Sequence, residues 1–275
     1  MSRIARTALA LVTCLVFAAA WAADPVAFLS DLKGEVALDG AGRPPFLAEL
    51  LPGSRLTLAA GATASVMYVV SGDEFGLRGP GEFTVAKDGV RSSTGATPVK
   101  RTASLRPSAS VIVHTSKAAT ASLRMRSAPL PKGEPAGPQY PVNARIATLQ
   151  PTLRWGGDSN ATYAVVLSAS DGKEVYRGSA KGLTLRLPAK LAPGKSYAWS
   201  LATGTSVPSE SRFETLPPPA IQAADKARAV GKSFADRVLL ALLLQDLGAA
   251  QDSREVWAQL ATERPDLPEL AGLAR

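Results

Sequence analysis

Leu191-Ala192-Pro193-Gly194-Lys195-Ser196-Tyr197-Ala198-Trp199-Ser200-Leu201 is the stretch that decides the fold of this chain. Pro193-Gly194 is turn chemistry, and beyond it Tyr197, Trp199 and Leu201 alternate with small or polar residues, which puts three large side chains on one face of a strand. A tyrosine at a strand start, just past a Leu-x-Pro-Gly turn, is placed to bond its hydroxyl to nearby backbone at the edge of a β-sandwich. The same alternation recurs at Leu153 and Trp155, at Tyr163, Val165 and Leu167, and at Leu183, Leu185 and Leu187. Residues 144–216 therefore read as a β-sandwich with Trp155 and Tyr197 in its core.

With the early Trp155 and the closing Arg212-Phe213-Glu214, this unit resembles a fibronectin type III-like module. Upstream, residues 26–97 are short apolar alternations, among them Val36-Ala37-Leu38, Arg55 to Leu58, Ala64 to Val69, Glu74 to Leu77 and Glu82 to Val85. Asp39-Gly40, Pro52-Gly53, Ala60-Gly61, Gly72-Asp73, Gly79-Pro80-Gly81 and Asp88-Gly89 separate them, which predicts a small all-β unit. Gly34-Glu35-Val36, Leu51-Pro52-Gly53 before Leu56, the small-residue strand after Gly61, and Phe75-Gly76-Leu77-Arg78-Gly79-Pro80-Gly81 resemble the FecR-type domain of bacterial envelope proteins. That resemblance implies a β-roll and an envelope function, and it extends the unit over residues 23–128. Within it, Ser108 to His114 and Ala121 to Met125 read as further strands, and residues 129–143 form a Pro/Gly-rich linker.

Pro217-Pro218-Pro219 ends the β region, and residues 217–275 read as helices over Ala220 to Val230, Phe234 to Leu247 and Ser253 to Glu263. Leu240, Leu244, Gly248, Trp257 and Pro265 stand at spacings that resemble a tetratricopeptide-type hairpin. Between Val238 and Leu247 the helix is apolar on nearly every side, more than one buried stripe requires. Leu240, Leu243, Leu244 and Trp257 are accordingly the candidate partner-binding residues. The fold class expected is multidomain and mainly β: a small β-roll, a sandwich and a short helical hairpin.

At the amino terminus, Arg3 and Arg6 precede the apolar run Ala8 to Ala20, and Ala20-Trp21-Ala22 offers small residues for cleavage. Residues 1–22 therefore read as a secretory signal peptide, giving an exported, periplasmic protein with no later membrane span. Cys14 is the one cysteine, so neither disulfides nor thiolate metal sites are expected after cleavage.

The net charge is +8, and much of the excess is local: Lys100, Arg101, Arg106, Lys117, Arg124, Arg126 and Lys132 share a stretch without acids between Asp88 and Glu134. Lys100, Arg101, Arg106, Lys117, Arg124 and Arg126 form a candidate patch for an anionic partner, whether a lipid surface or cell-wall polymer. Nucleic acid is not expected, because no aromatic residue is interleaved with these charges to stack on bases.

Catalytic motifs are missing from the sequence. Ser30-Asp31-Leu32-Lys33 has the Ser-x-x-Lys spacing of an acyl-enzyme site but none of its partner motifs. Asp73-Glu74 and Asp171 with Glu174 are carboxylate neighbours in expected turns, and His114 is a lone histidine. No cofactor or metal is expected. The reading is a non-enzymatic periplasmic scaffold or adaptor, with a cell-wall or polysaccharide binder as the alternative and a FecR-type signalling regulator third.

Overall fold

The computed structural model describes residues 24–102, 109–124, 137–204 and 207–275. The expected signal peptide with Cys14 lies outside the described residues, as do Arg106, Arg126, Lys132 and the side chain of Arg124. The protein is mainly β, in several antiparallel sheets with a layer of helices.

The first unit is built from β1 (Ala27–Lys33), β2 (Val36–Leu38), β3 (Glu49–Leu50), β4 (Arg55–Leu58), β5 (Thr63–Tyr68), β6 (Asp73–Arg78), β7 (Gly81–Val85), β8 (Val90–Thr94) and β9 (Val99–Thr102). They form two sheets, ordered β3-β1-β5-β6-β9 and β2-β4-β7-β8. Alternation does the work: Leu56 and Leu58 of β4, and Phe83 and Val85 of β7, point into the core while Arg55, Thr57 and Glu82 face solvent. Gly79 is required by close approach, because a Cβ there would lie 2.0 Å from the Ala59 carbonyl oxygen.

After β9 the expected strands are absent. Of the residues expected as strands over Ser108 to His114 and Ala121 to Met125, Ala109 to His114 and Ala121 to Arg124 belong instead to one helix, α1 (Ala109–Arg124), while Ser108 and Met125 lie outside the described residues. The triplet Val111-Ile112-Val113 favours a strand by its branched side chains. What overrides it is the burial of Ile112, Thr115 and Ala119, a stripe at i, i+3 and i+7 that only a helix presents on one side.

The sandwich comprises β10 (Gly137–Tyr140), β11 (Ala144–Ile146), β12 (Thr152–Gly156), β13 (Thr162–Ala169), β14 (Glu174–Lys181), β15 (Thr184–Arg186), β16 (Ser196–Ala202) and β17 (Ser209–Thr215). Its sheets run β10-β12-β15 and β11-β17-β16-β13-β14. The expected linker 129–143 therefore needs correction: Gly137–Tyr140 is a strand of the sandwich, paired with β12. The Tyr197 hydroxyl accepts from Ala192 N at 2.9 Å and donates to Ala192 O at 3.3 Å, closing the corner at the turn. Trp155, 1% exposed, lies against Tyr163 (ring centroids 5.5 Å apart) and Trp199 (6.4 Å) at the centre of this core.

The chain closes with α2 (Pro218–Val230), α3 (Phe234–Asp246), α4 (Ala250–Glu263) and α5 (Glu269–Leu273). Ser233 and Asp236 make a reciprocal capping box at the start of α3. Gly248 turns α3 into α4 at φ +81°, a left-handed position that suits glycine.

The first unit and these helices share one hydrophobic core, which the sandwich interrupts in sequence but not in space. Phe46, from the loop between β2 and β3, packs edge-on against Phe234 of α3 (6.3 Å) and Trp257 of α4 (6.1 Å). Arg264 reaches back to β1, bonding Asp31 Oδ1 and the Leu32 carbonyl at 2.6 Å each, with its guanidinium 4.9 Å from the Phe234 ring centroid. Arg101 of β9 holds Glu74 and, at 3.0 Å, Asp236 of α3. The all-round apolar α3 is covered by α4, α2, α1 and β1.

Candidate functional site

The sandwich meets the helical layer at a buried polar joint. Asp252, in the first turn of α4, accepts from the Tyr140 hydroxyl of β10 at 2.7 Å and from the Ala147 N–H beyond β11 at 2.6 Å. Arg228 of α2 stands 3.9 Å away and donates to the Ala147 carbonyl at 3.0 Å. Arg154 of β12 lies over the Tyr140 ring at 4.9 Å and pairs with Glu255 of α4.

Burial pushes the Asp252 carboxyl above its ordinary value, against the opposing pull of Tyr140, the Ala147 N–H and the two arginines. Burial likewise raises Glu255, and burial with the neighbouring Asp252 charge raises the Tyr140 hydroxyl. Asp252 is only 7% exposed and both its oxygens are occupied within the chain, so this network fastens elements together and offers nothing to a substrate.

Beside the joint opens a cleft of about 1060 Å³. Its floor is the outer face of the larger sheet, and strand register dictates its composition. One row runs from Asn143, just before β11, through Arg212 and Ala198 to Ser168, and the next runs from Arg145 through Glu214 and Ser196 to Ser170, just past β13. Because β13 and β16 present only serine and alanine there, the floor is low. The β13–β14 hairpin bounds it on one side, and Gly248, Ala250, Gln251 and Arg254 at the start of α4 bound it on another. Gln251 is pinned by the Val142 N–H, which donates to its Oε1 at 2.9 Å.

Three exposed arginines, Arg145, Arg212 and Arg254, therefore share a cleft whose only acidic side chain among the described residues is Glu214. Arg145 Nε is 3.3 Å from Glu214 Oε2. Among the described residues Arg254 donates once, to the main-chain oxygen of Arg275, the last residue of the sequence, at 3.0 Å. Arg212 makes no ion pair among the described residues. The N-cap of α4 is Ala249, whose side chain caps nothing, so the first-turn N–H groups add to the positive field. The arrangement suits oxyanions.

The candidate partner-binding residues from the sequence lie elsewhere. Leu240, Leu244 and Trp257 are 7%, 0% and 1% exposed, and Leu243 is half-buried against the same core. They are not a free surface: the apolar excess of α3 is absorbed by β1, α1 and the other helices. Of the candidate anionic-partner patch, Lys100 pairs with Asp73 at 3.0 Å and Arg101 is committed to Glu74 and Asp236. Lys117 is exposed on α1, away from these two in sequence and element. The described part of the patch is thus divided between internal pairing and a helix face.

The remaining motifs resolve as structure. Ser30 is fully buried in β1 with its hydroxyl on the Ser65 carbonyl, and Asp171 closes its own turn by accepting from Lys173 N at 3.0 Å. His114 lies on α1. Among the described residues no cluster of three or more His, Cys, Asp or Glu could hold a metal, and no helix is long and apolar enough to cross a membrane.

No family model matches the chain, and neither does any curated protein. Among solved structures, the crystal structure of CopC from Methylosinus trichosporium OB3b is similar over 30% of this chain and 96% of that one, at 23% identity and a TM-score of 0.25.

Proposed function

We propose that this protein is a non-enzymatic, exported scaffold or adaptor of the bacterial cell envelope. In this reading its first unit is of the FecR type, and a partner protein is held in the cleft between the sandwich and α4. The observation that carries it is the joint itself. Asp252, Arg228 and Arg154 lock the sandwich to the helices, while Arg264 and Arg101 lock the helices to the first unit, so the cleft walls have a fixed spacing. A pre-formed recess lined by adaptable polar groups is what a binding module supplies, and the buried carboxylates nearby are spent on fastening.

The experiment is site-specific photo-crosslinking in the native host, with a benzophenone amino acid at Ser170 or at Arg186 on the opposite sheet. Discrete protein adducts from Ser170 and none from Arg186, with the mature amino terminus near Ala23 in the periplasmic fraction, are expected. An intact Met1 in the cytosol, or no adduct at either position, overturns the reading.

A further inference from the structure

We propose that the cleft takes an extended acidic peptide segment of a partner protein, its carboxylates meeting Arg145, Arg212 and Arg254. This deepens the adaptor reading and rests on it. The charge balance comes first: three guanidinium groups face one carboxylate side chain, that carboxylate engages Arg145 through a single Nε contact, and Arg254 spends one donor on the main-chain oxygen of Arg275. Each guanidinium carries five donors in a planar fork that matches a carboxylate bidentately, and most of these remain for a ligand.

Shape comes second. Four strands spaced about 4.8 Å apart make each floor row roughly 14 Å wide, the reach of about four extended residues. A floor of serine and alanine lets a backbone lie close, and Ser168, Ser170 and Ser196 offer hydroxyls to it. The aromatic residues along the floor, Tyr197 and Phe213, turn their rings inward to the sandwich core, 5% and 3% exposed and stacked on each other, so no aromatic platform is open to a sugar. A lipid surface is too flat to enter a recess between a sheet face and a helix end.

The test is fluorescence anisotropy of the full chain with a labelled octapeptide of alternating Asp and Gly, and with its Asn counterpart. Saturable binding of the acidic peptide alone is expected, weakening as salt is raised. Arg212→Gln should weaken it about tenfold or more, as loss of a charge-assisted pair does. Ala198→Trp, which fills the floor from an outward position, should abolish it, and Arg186→Gln should leave it unchanged. No saturable binding, an equal loss in Arg186→Gln, or preferential binding of inorganic polyphosphate or phosphatidylglycerol vesicles overturns the acidic-peptide assignment. If crosslinks from Ser170 persist while the acidic peptide fails to bind, the adaptor reading stands and this ligand falls. If the peptide binds but no crosslink forms in the host, the adaptor reading is the one that fails.

Discussion

Asp252 concentrates the chemistry of the joint in one side chain. Its two oxygens serve two buried donors, so Asp252→Asn keeps the shape but turns an NH2 toward either Tyr140 or the Ala147 N–H. One donor is then left unmade, at about 1–3 kcal/mol of stability, measurable by urea denaturation at pH 7. The pH response carries a second signature. Because the folded Asp252 binds its proton more tightly than the unfolded one, stability falls as pH climbs from the ordinary carboxylate value toward the raised folded one. The Asn variant should flatten that part of the stability profile, and an unchanged slope would mean that Asp252 is not the group responsible.

Two further residues report on the sandwich. Trp155→Ala opens a cavity in a close-packed core and should cost about 3–5 kcal/mol. Tyr197→Phe removes the corner's hydroxyl and should cost about 1 kcal/mol. If Trp155→Ala left the melting temperature unchanged, its central place between Tyr163 and Trp199 would be wrong.

At the scale of elements, the helices α1 and α3 show which signals a sequence carries plainly. The strands around Tyr163–Leu167 and Tyr197–Leu201 are legible because each alternates large and small residues over five positions, a pattern with one structural meaning, whereas Gly137–Tyr140 has no such alternation and reads as linker. The α1 segment was not, since three consecutive branched residues outweigh the faint stripe of Ile112, Thr115 and Ala119 unless something is known to cover that stripe. For α3 the excess of leucines was visible and only its cover was not. Phe46 and Asp31 lie some two hundred residues upstream of their helical partners, a distance at which no local pattern speaks.

The consequence for α3 is testable. Leu244→Ala should cost about 2–5 kcal/mol. Loss should appear in the first β unit as well as in the helices, since both contribute to the one hydrophobic core that includes Leu244. Hydrogen exchange would show it, with faster exchange in β1 as well as α4; protection lost from the helices alone would contradict the shared core.

For the whole molecule, the two cores predict two thermal transitions. Phe46→Ala should lower the one shared by the first unit and the helices, and Trp155→Ala the one belonging to the sandwich, each read by calorimetry. A single variant moving both transitions equally would show that the joint couples them into one unit. The cleft belongs to this scale too. Its arginines are scattered over Arg145, Arg212 and Arg254, and only the parallel pairing of Ala144–Ile146 with Phe213–Thr215 and the docking of α4 bring them together. The basic stretch that stood out in the sequence owed its prominence to adjacency, whereas the cleft owes its charge to register.

The contact between Asp31 and Arg264 spans 233 residues, and that separation sets a clock. A chain emerging amino end first, at roughly 5–20 residues per second, completes β1 on the order of 10–50 s before the helices that cover it exist. Throughout that interval Phe46, Leu47 and the inner side of β1 have no lid, while the sandwich, whose strands all lie within residues 137–215, is free to fold by itself. Assembly should therefore begin in the middle of the chain and finish when its two flanks meet. A version ending at Pro217 should retain a folded sandwich yet aggregate through its unclosed first unit.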